Sequence, residues 1–302
     1  MKKIYLIGLL IFLQIAYTVA QNPLWQGKGR IVISSDGNEH DHDDWAATPL
    51  SLAILSAKGL QNKLALYLYS DHIWGSNQEH PGVNGVTAYE QMKESALTGC
   101  KMFKFDPDRF ICAVDNPEIA YNALKEQINL STAENPLFII VAGPVQVIGE
   151  AISRSDRERR RFVTVISTVN CWNDDHADHP YVAWENHSGW TMSEIKEHFS
   201  GEDGGTLKTV SIENQNPCLM RNWKEFEWLK TAPERNNNYY TAGSWAWLFN
   251  RLCMSIKPVS GSENYYAIDA SDAGKVLYLL TGIEKTSPQL CYEMLKNPPV
   301  PK

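Results

Sequence analysis

Apolar positions along the chain alternate between short β-branched runs and longer stretches with helical spacing. Arg30 to Ser35 ("RIVISS") predicts a strand, and Trp45 to Ala57 predicts an apolar helix that stops at Gly59. Lys63 to Ser70 ("KLALYLYS") alternates as a strand does, and Val86 to Leu97 has helical spacing. Asn116 to Ile128 predicts a helix with Asn116 as its cap and Pro117 in its first turn. Residues 136–144 ("PLFIIVAGP") form a continuous apolar run closed by Gly-Pro, the pattern of a strand buried on both faces. Gln146 to Ser153 then predicts a helix and Arg161 to Ser167 a strand. The segment "SDAGKVLYLLTG" (271–282) predicts a late helix that begins at Ser271 or Asp272 and ends at Gly282. Strand and helix alternating at this spacing predict an α/β fold, Rossmann-like, with a mostly parallel central sheet flanked by helices.

The rest of the chain is less regular. From Thr168 to Tyr239 the pattern loosens into polar segments rich in Trp and Asn. "GSWAWLFNRL" (243–252) reads as an amphipathic packing helix, and the charge run "RSDRERRR" (154–161) as a solvated face. There is no internal repeat, so residues 21–302 are read as a single domain.

Residues 1–20 are read separately. Lys2 and Lys3 precede an apolar run from Ile4 to Ala16, and Thr18, Val19 and Ala20 offer small residues before Gln21. That is the pattern of a cleaved secretory signal peptide, and it predicts a periplasmic or secreted protein without a stable membrane anchor. The six cysteines show no CxxC spacing, which argues against zinc-ribbon and thioredoxin-type sites. In an oxidising compartment one or two disulfides are open to them. The formal net charge of −7 argues against nucleic acid as a partner. No GxSxG elbow and no glycine-rich phosphate loop is present.

One stretch breaks the ordinary pattern. In "SSDGNEHDHDDWA" (34–46), Asp36, Glu39, Asp41, Asp43 and Asp44 crowd between a strand and a helix, with His40 and His42 among them. Acids at a helix start are stabilised by its free N–H groups, which accounts for Asp43 and Asp44 but not for Asp36 and Asp41. A hard divalent cation would account for all of them, since Ca²⁺ takes six to eight oxygen ligands. The spacing His40-x-His42-x-Asp44 also matches the core of the HxHxDH signature of zinc hydrolases. Trp45 stands where the last histidine would be, and the loop is mostly oxygen donors.

Three segments together resemble the nucleoside hydrolase-like superfamily. They are the acidic loop ending in Asp-Asp after the first strand, the buried strand leading into a Gly-Pro helix start ("FIIVAGPVQVIGEAI", 138–152), and the late acidic helix start ("AIDASDAGKVLYLLTG", 267–282). The resemblance implies a Ca²⁺ at the carboxyl end of the sheet and cleavage of an N-glycosidic, or other glycosidic, bond by a metal-activated water. Carried over, Asp36 resembles the ligand that is also the catalytic base, and Asp44 a second ligand. Asp43 resembles the neighbour that grips sugar hydroxyls, the Ala142 carbonyl a backbone ligand, and Asp272 the late carboxylate ligand. Asn186 resembles the family's sugar-binding asparagine, with Glu185 beside it, and Asn173 and Asn170 are further candidates. Asn77, with Asp71 and His72, lies in "SDHIWGSN" (70–77), whose counterpart lies near the sugar.

The departures narrow this expectation. Asp36 lies seven residues before Asp43, further than in the family, so Glu39 is the base if the family's register is kept. Ser271 stands where many members place a histidine that protonates the leaving base. The expected substrate is therefore a small molecule or glycan whose leaving group is open. A zinc-dependent hydrolase and a non-catalytic sugar-binding protein on the same scaffold remain alternatives, and a homo-oligomer is left open. Trp172, Trp184 and Trp190 in segment 170–190 suggest a sugar-binding lid. His176 and His179 read as a surface pair.

Overall fold

The computed structural model describes residues 22–38, 42–73, 85–169, 189–231, 243–255, 257–258 and 266–296. In chain order the elements begin β1 (Arg30–Ser35), α1 (Asp44–Ala57), β2 (Leu64–Tyr69), α2 (Ala88–Met102), β3 (Phe110–Cys112) and α3 (Pro117–Asn129). There follow β4 (Leu137–Ala142), α4 (Gln146–Ser153), α5 (Arg157–Arg160), β5 (Val163–Thr168), α6 (Met192–Phe199) and β6 (Lys208–Ile212). The chain ends with α7 (Asn216–Leu219), β7 (Met220–Asn222), α8 (Ser244–Met254), β8 (Lys257–Pro258), β9 (Tyr266–Asp269), α9 (Ala273–Thr281) and α10 (Pro288–Lys296).

Strands β1 to β6 form one sheet in the order β3-β2-β1-β4-β5-β6, and every neighbouring pair is parallel. The expected α/β, Rossmann-like architecture is therefore present. Strands β7, β9 and β8 form a small antiparallel sheet beside it. The main chain winds outward from β1 to β3, then returns to the other side of β1 as β4. That reversal opens a crevice between the carboxyl ends of β1 and β4, where open α/β sheets bind ligands.

Alternate residues of the central strands feed two cores. Ile31 and Ile33 of β1, with Phe138 and Ile140 of β4, pack on the side covered by α1, α2, α8, α9 and α10. Val32 and residues Leu137, Ile139 and Val141 pack on the side covered by α3, α4 and α6. Burial on both faces is why these strands read as unbroken apolar runs. Helix α1 is buried along its whole length. It contains Pro49, which cannot donate to the Trp45 carbonyl four residues back; the Ser95 hydroxyl donates to that oxygen instead, at 2.7 Å. The cap at α3 is as expected, with the Asn116 side chain accepting from Ile119 N–H.

Some expectations are corrected. The charge run 154–161 is not a uniformly solvated face, because Arg160 is buried. Its guanidinium donates to the Ser153, Ser155 and Gly204 carbonyls and to the Ser155 hydroxyl, so the charge is satisfied internally. The polar region after Thr168 contains α6 and the edge strand β6. Among the described residues, Cys100, Cys112, Cys218, Cys253 and Cys291 are free thiols. No described helix is long and apolar enough to cross a membrane.

Candidate active site

The site is built where β1, β2 and β4 end. Beyond β1 the chain turns at Gly37, whose φ of +71° is a left-handed value that suits glycine. A Cβ there would lie 2.8 Å from Met92 Sδ and 2.9 Å from Asp44 Cβ, so the loop closes over the start of α1 only with glycine. The Trp45 indole N–H donates to the Gly37 carbonyl at 2.6 Å and fixes that closure. Asp43 caps α1 by accepting from Asp44 N–H at 3.0 Å, and Asp44 is the first helical residue.

These turns bring Asp36 and Asp44 into contact. The Asp36 backbone N–H donates to Asp44 Oδ2 at 3.1 Å, and Asp36 Oδ1 accepts from Gly37 N–H at 2.8 Å. Asp44 is fully buried, and burial raises its pKa well above the usual carboxylate range. A hydrogen bond with the Asp36 carboxyl and the charges of Asp36 and Asp43 push it the same way, against a smaller opposing contribution from the Ser35 hydroxyl.

A third carboxylate arrives from β2. Ser70 has φ +54°, an uncommon left-handed value for a residue with a side chain. That turn lets Asp71 N–H donate to the Ser35 carbonyl at 3.1 Å, which pins Asp71 beside the end of β1. The Ser34 hydroxyl donates to Asp71 Oδ2 at 2.5 Å. Burial, then repulsion from Asp36, raise the Asp71 pKa well above its ordinary range, while the Ser34 hydrogen bond opposes them. The loops after β1 and β2 are also tied together by Asn38, whose side-chain N–H donates to the His72 carbonyl at 3.2 Å.

Strand β4 contributes its backbone. The Ala142 carbonyl accepts from Asp36 N–H at 3.2 Å and keeps a second lone pair. At Gly143 a Cβ would fall 2.7 Å from Asp71 Oδ1, 2.9 Å from Asp36 N and 3.0 Å from Asp36 Cβ. The absence of a side chain at 143 thus leaves a small cradle between Asp36 and Asp71.

The hydrogen-bond balance at this end of the sheet is unusual. Asn38 Oδ1, Asp44 Oδ1, Ser70 Oγ and Asp71 Oδ1 are the buried side-chain oxygens with no hydrogen-bond partner among the described residues, and they sit on the loops after β1 and β2 and at the first residue of α1. Buried polar atoms are nearly always satisfied, so these four oxygens call for a partner beyond the described residues. The donors are oxygens, the set that suits Ca²⁺ better than zinc. Among the described residues no group of three or more acids, histidines or cysteines is gathered closely enough to hold a metal ion as it stands. The carboxylates instead form a row with Asp36 between Asp44 and Asp71.

The remaining candidates divide sharply. Asp43 Oδ2 accepts from the Ser271 hydroxyl at 3.4 Å, which joins the acidic loop to the start of α9. Asp272 lies at that start too, but its carboxylate's one partner among the described residues is the buried Lys275 ammonium. Asp269, not singled out from the sequence, is buried at the end of β9 and accepts from Ser271 N–H at 3.2 Å. His42 stacks on the Trp45 ring, with centroids 4.1 Å apart. Trp190, the last of the three aromatic candidates, packs against α4 and α6 and donates through its indole N–H to Glu150 at 3.4 Å. Asn77, Asn170, Asn173, Glu185 and Asn186 lie outside the described residues, as do Glu39, His40, Asp41, Trp172, His176, His179 and Trp184.

No family model matches the chain. It is 29% identical over 271 residues to "Uncharacterized protein P22" of Formosa agariphila, a match that covers 88% of this chain and 89% of that protein. The chain is thus similar to that protein along nearly the whole length of both.

Proposed function

We propose that the protein is a Ca²⁺-dependent hydrolase of the nucleoside hydrolase-like type, exported from the cytoplasm, that cleaves a glycosidic bond. One observation carries the reading. Asp44 and Asp71, buried carboxylates each with an oxygen unpartnered among the described residues, adjoin Asp36 near the β1/β4 crevice, and Gly143 leaves a small cradle between Asp36 and Asp71. An uncompensated buried charge is costly, and a divalent cation is the simplest compensation for acids held this way.

Asp36, Asp44 and the Ala142 carbonyl would hold the ion. Bound there, Ca²⁺ supplies the positive charge that acidifies a water and orients sugar hydroxyls. Asp36, at the centre of the row, accepts the proton of the attacking water at a carboxylate oxygen. The water oxygen bonds to the anomeric carbon as the glycosidic bond breaks and its electron pair leaves with the departing group. Asp43, half-buried at the edge of the cluster, accepts hydrogen bonds from sugar hydroxyls. Asp44 shares no proton with substrate; it holds charge and orients Asp36 through the Asp36 N–H.

The test is hydrolysis of a panel of nucleosides and aryl glycosides by the exported protein and by Asp36→Asn. Calcium-dependent turnover that falls about a thousandfold in the variant is expected, in line with loss of a general base. Unchanged turnover in Asp36→Asn would remove Asp36 from catalysis.

A further inference from the structure

We infer that Asp71, and not Asp272, supplies the remaining carboxylate ligand of the cation. The inference rests on the calcium reading above and changes which residues fill its shell. Neither the acidic-loop motif nor the late helix motif contains Asp71, which follows a different strand.

Asp71 is built as a ligand is built. Its side chain is fully buried, and two independent bonds fix it: its backbone N–H on the Ser35 carbonyl and its Oδ2 on the Ser34 hydroxyl. Oδ1 has no hydrogen-bond partner among the described residues and lies at the cradle beside Gly143, on the side of Asp36. A buried carboxylate whose role was structural would have both oxygens satisfied by the protein. The left-handed Ser70 that turns Asp71 inward is a backbone cost that neighbouring structure has to impose.

Asp272 is placed oppositely. It is partly exposed, and its carboxylate is neutralised by the Lys275 ammonium one helical turn on. To reach a cation it would have to give up its ion pair with the buried Lys275 ammonium, which is costly. With Asp36, Asp44, Asp71 and the Ala142 carbonyl, every protein donor is oxygen, and carboxylate charge outnumbers the ion's. Such a set selects Ca²⁺ over zinc.

Calcium affinity, measured by titration calorimetry with CaCl₂ on mature protein, tests this directly. Asp71→Asn is expected to weaken binding by about a hundredfold, and Ser34→Ala, which frees Oδ2, by about tenfold, on the scale of ligand and supporting-residue losses. Asp272→Asn is expected to leave affinity within about threefold of the parent, because that carboxylate is spoken for by Lys275. Far-UV circular dichroism establishes that each variant folds, and Ser34→Ala decides the matter if Asp71→Asn does not. The reverse pattern, with Asp272→Asn abolishing binding and the Asp71 and Ser34 variants unaffected, would overturn the inference while leaving the calcium site standing. Absence of calcium binding by the parent protein would overturn both.

Discussion

Two regions of this molecule bury charge, and they do so in opposite ways. Arg251 of α8 is buried between helices, and its guanidinium donates to the Gln91 side chain, the Gln91 carbonyl and the Ser95 hydroxyl. Around Asp36, by contrast, Asp44 and Asp71 are buried, each with one oxygen that has no hydrogen-bond partner among the described residues. Arg251 is a charge that the fold satisfies for itself and uses to join α8 to α2. The carboxylates are charges that the fold sequesters and leaves unfinished, as a ligand site requires. The difference separates a charge that the fold satisfies from carboxylates that the proposed cation would satisfy.

The contrast can be broken by substitution. Arg251→Met should destabilise the protein by about 3 kcal/mol, because Gln91 and Ser95 lose donors in a dry setting. Asp44→Asn, made in calcium-free protein, should be neutral or stabilising by about 1 kcal/mol, since it removes an uncompensated buried charge. Chemical denaturation of both variants in EDTA measures this. Comparable losses in the two would erase the distinction.

A smaller effect lies in the pH dependence. Asp44 and Asp71 have folded pKa values raised above those of the unfolded chain, so the folded state binds their protons more tightly. Their contribution to stability is present at acid pH and is lost as pH rises above about 4, the unfolded value, through the raised folded values. In EDTA, parent protein should therefore lose stability relative to Asp44→Asn as pH rises across that window, and calcium should flatten the difference. A parent that gained stability relative to Asp44→Asn over the same range would reverse the assigned sign.

Much of the fold was legible because its centre is buried on both faces. β4 is a continuous apolar run and β1 has a β-branched apolar centre, and the sequence places their limits within a residue or two of the observed ones. The sheet edges were not legible. β3 is three residues long, and β6, "KTVSI", is half exposed, so neither carries a strong pattern. α10 and α6 were also not singled out. At the site, the run of acids marked Asp36, Asp43 and Asp44 directly. Asp71 was placed only at the carboxyl end of its strand, since its partnership with Ser34 depends on how β1 and β2 pair. The Asp272–Lys275 ion pair has i,i+3 spacing in the sequence, but that spacing alone did not mark it. The burial of Arg160 within a charged run was not readable, because Gly204, which accepts from it, is far away in sequence.

The most direct test of the central claim is the metal content of the purified protein, followed by melting in EDTA, in CaCl₂ and in ZnCl₂. The account predicts about one calcium per chain and a melting temperature that EDTA lowers and calcium restores, a stabilisation of about 2.7 kcal/mol at a hundredfold excess over Kd. Zinc alone in the protein, with stabilisation by zinc and not calcium, would move the site to His40 and His42. A metal-free protein whose melting ignores calcium would contradict the account outright.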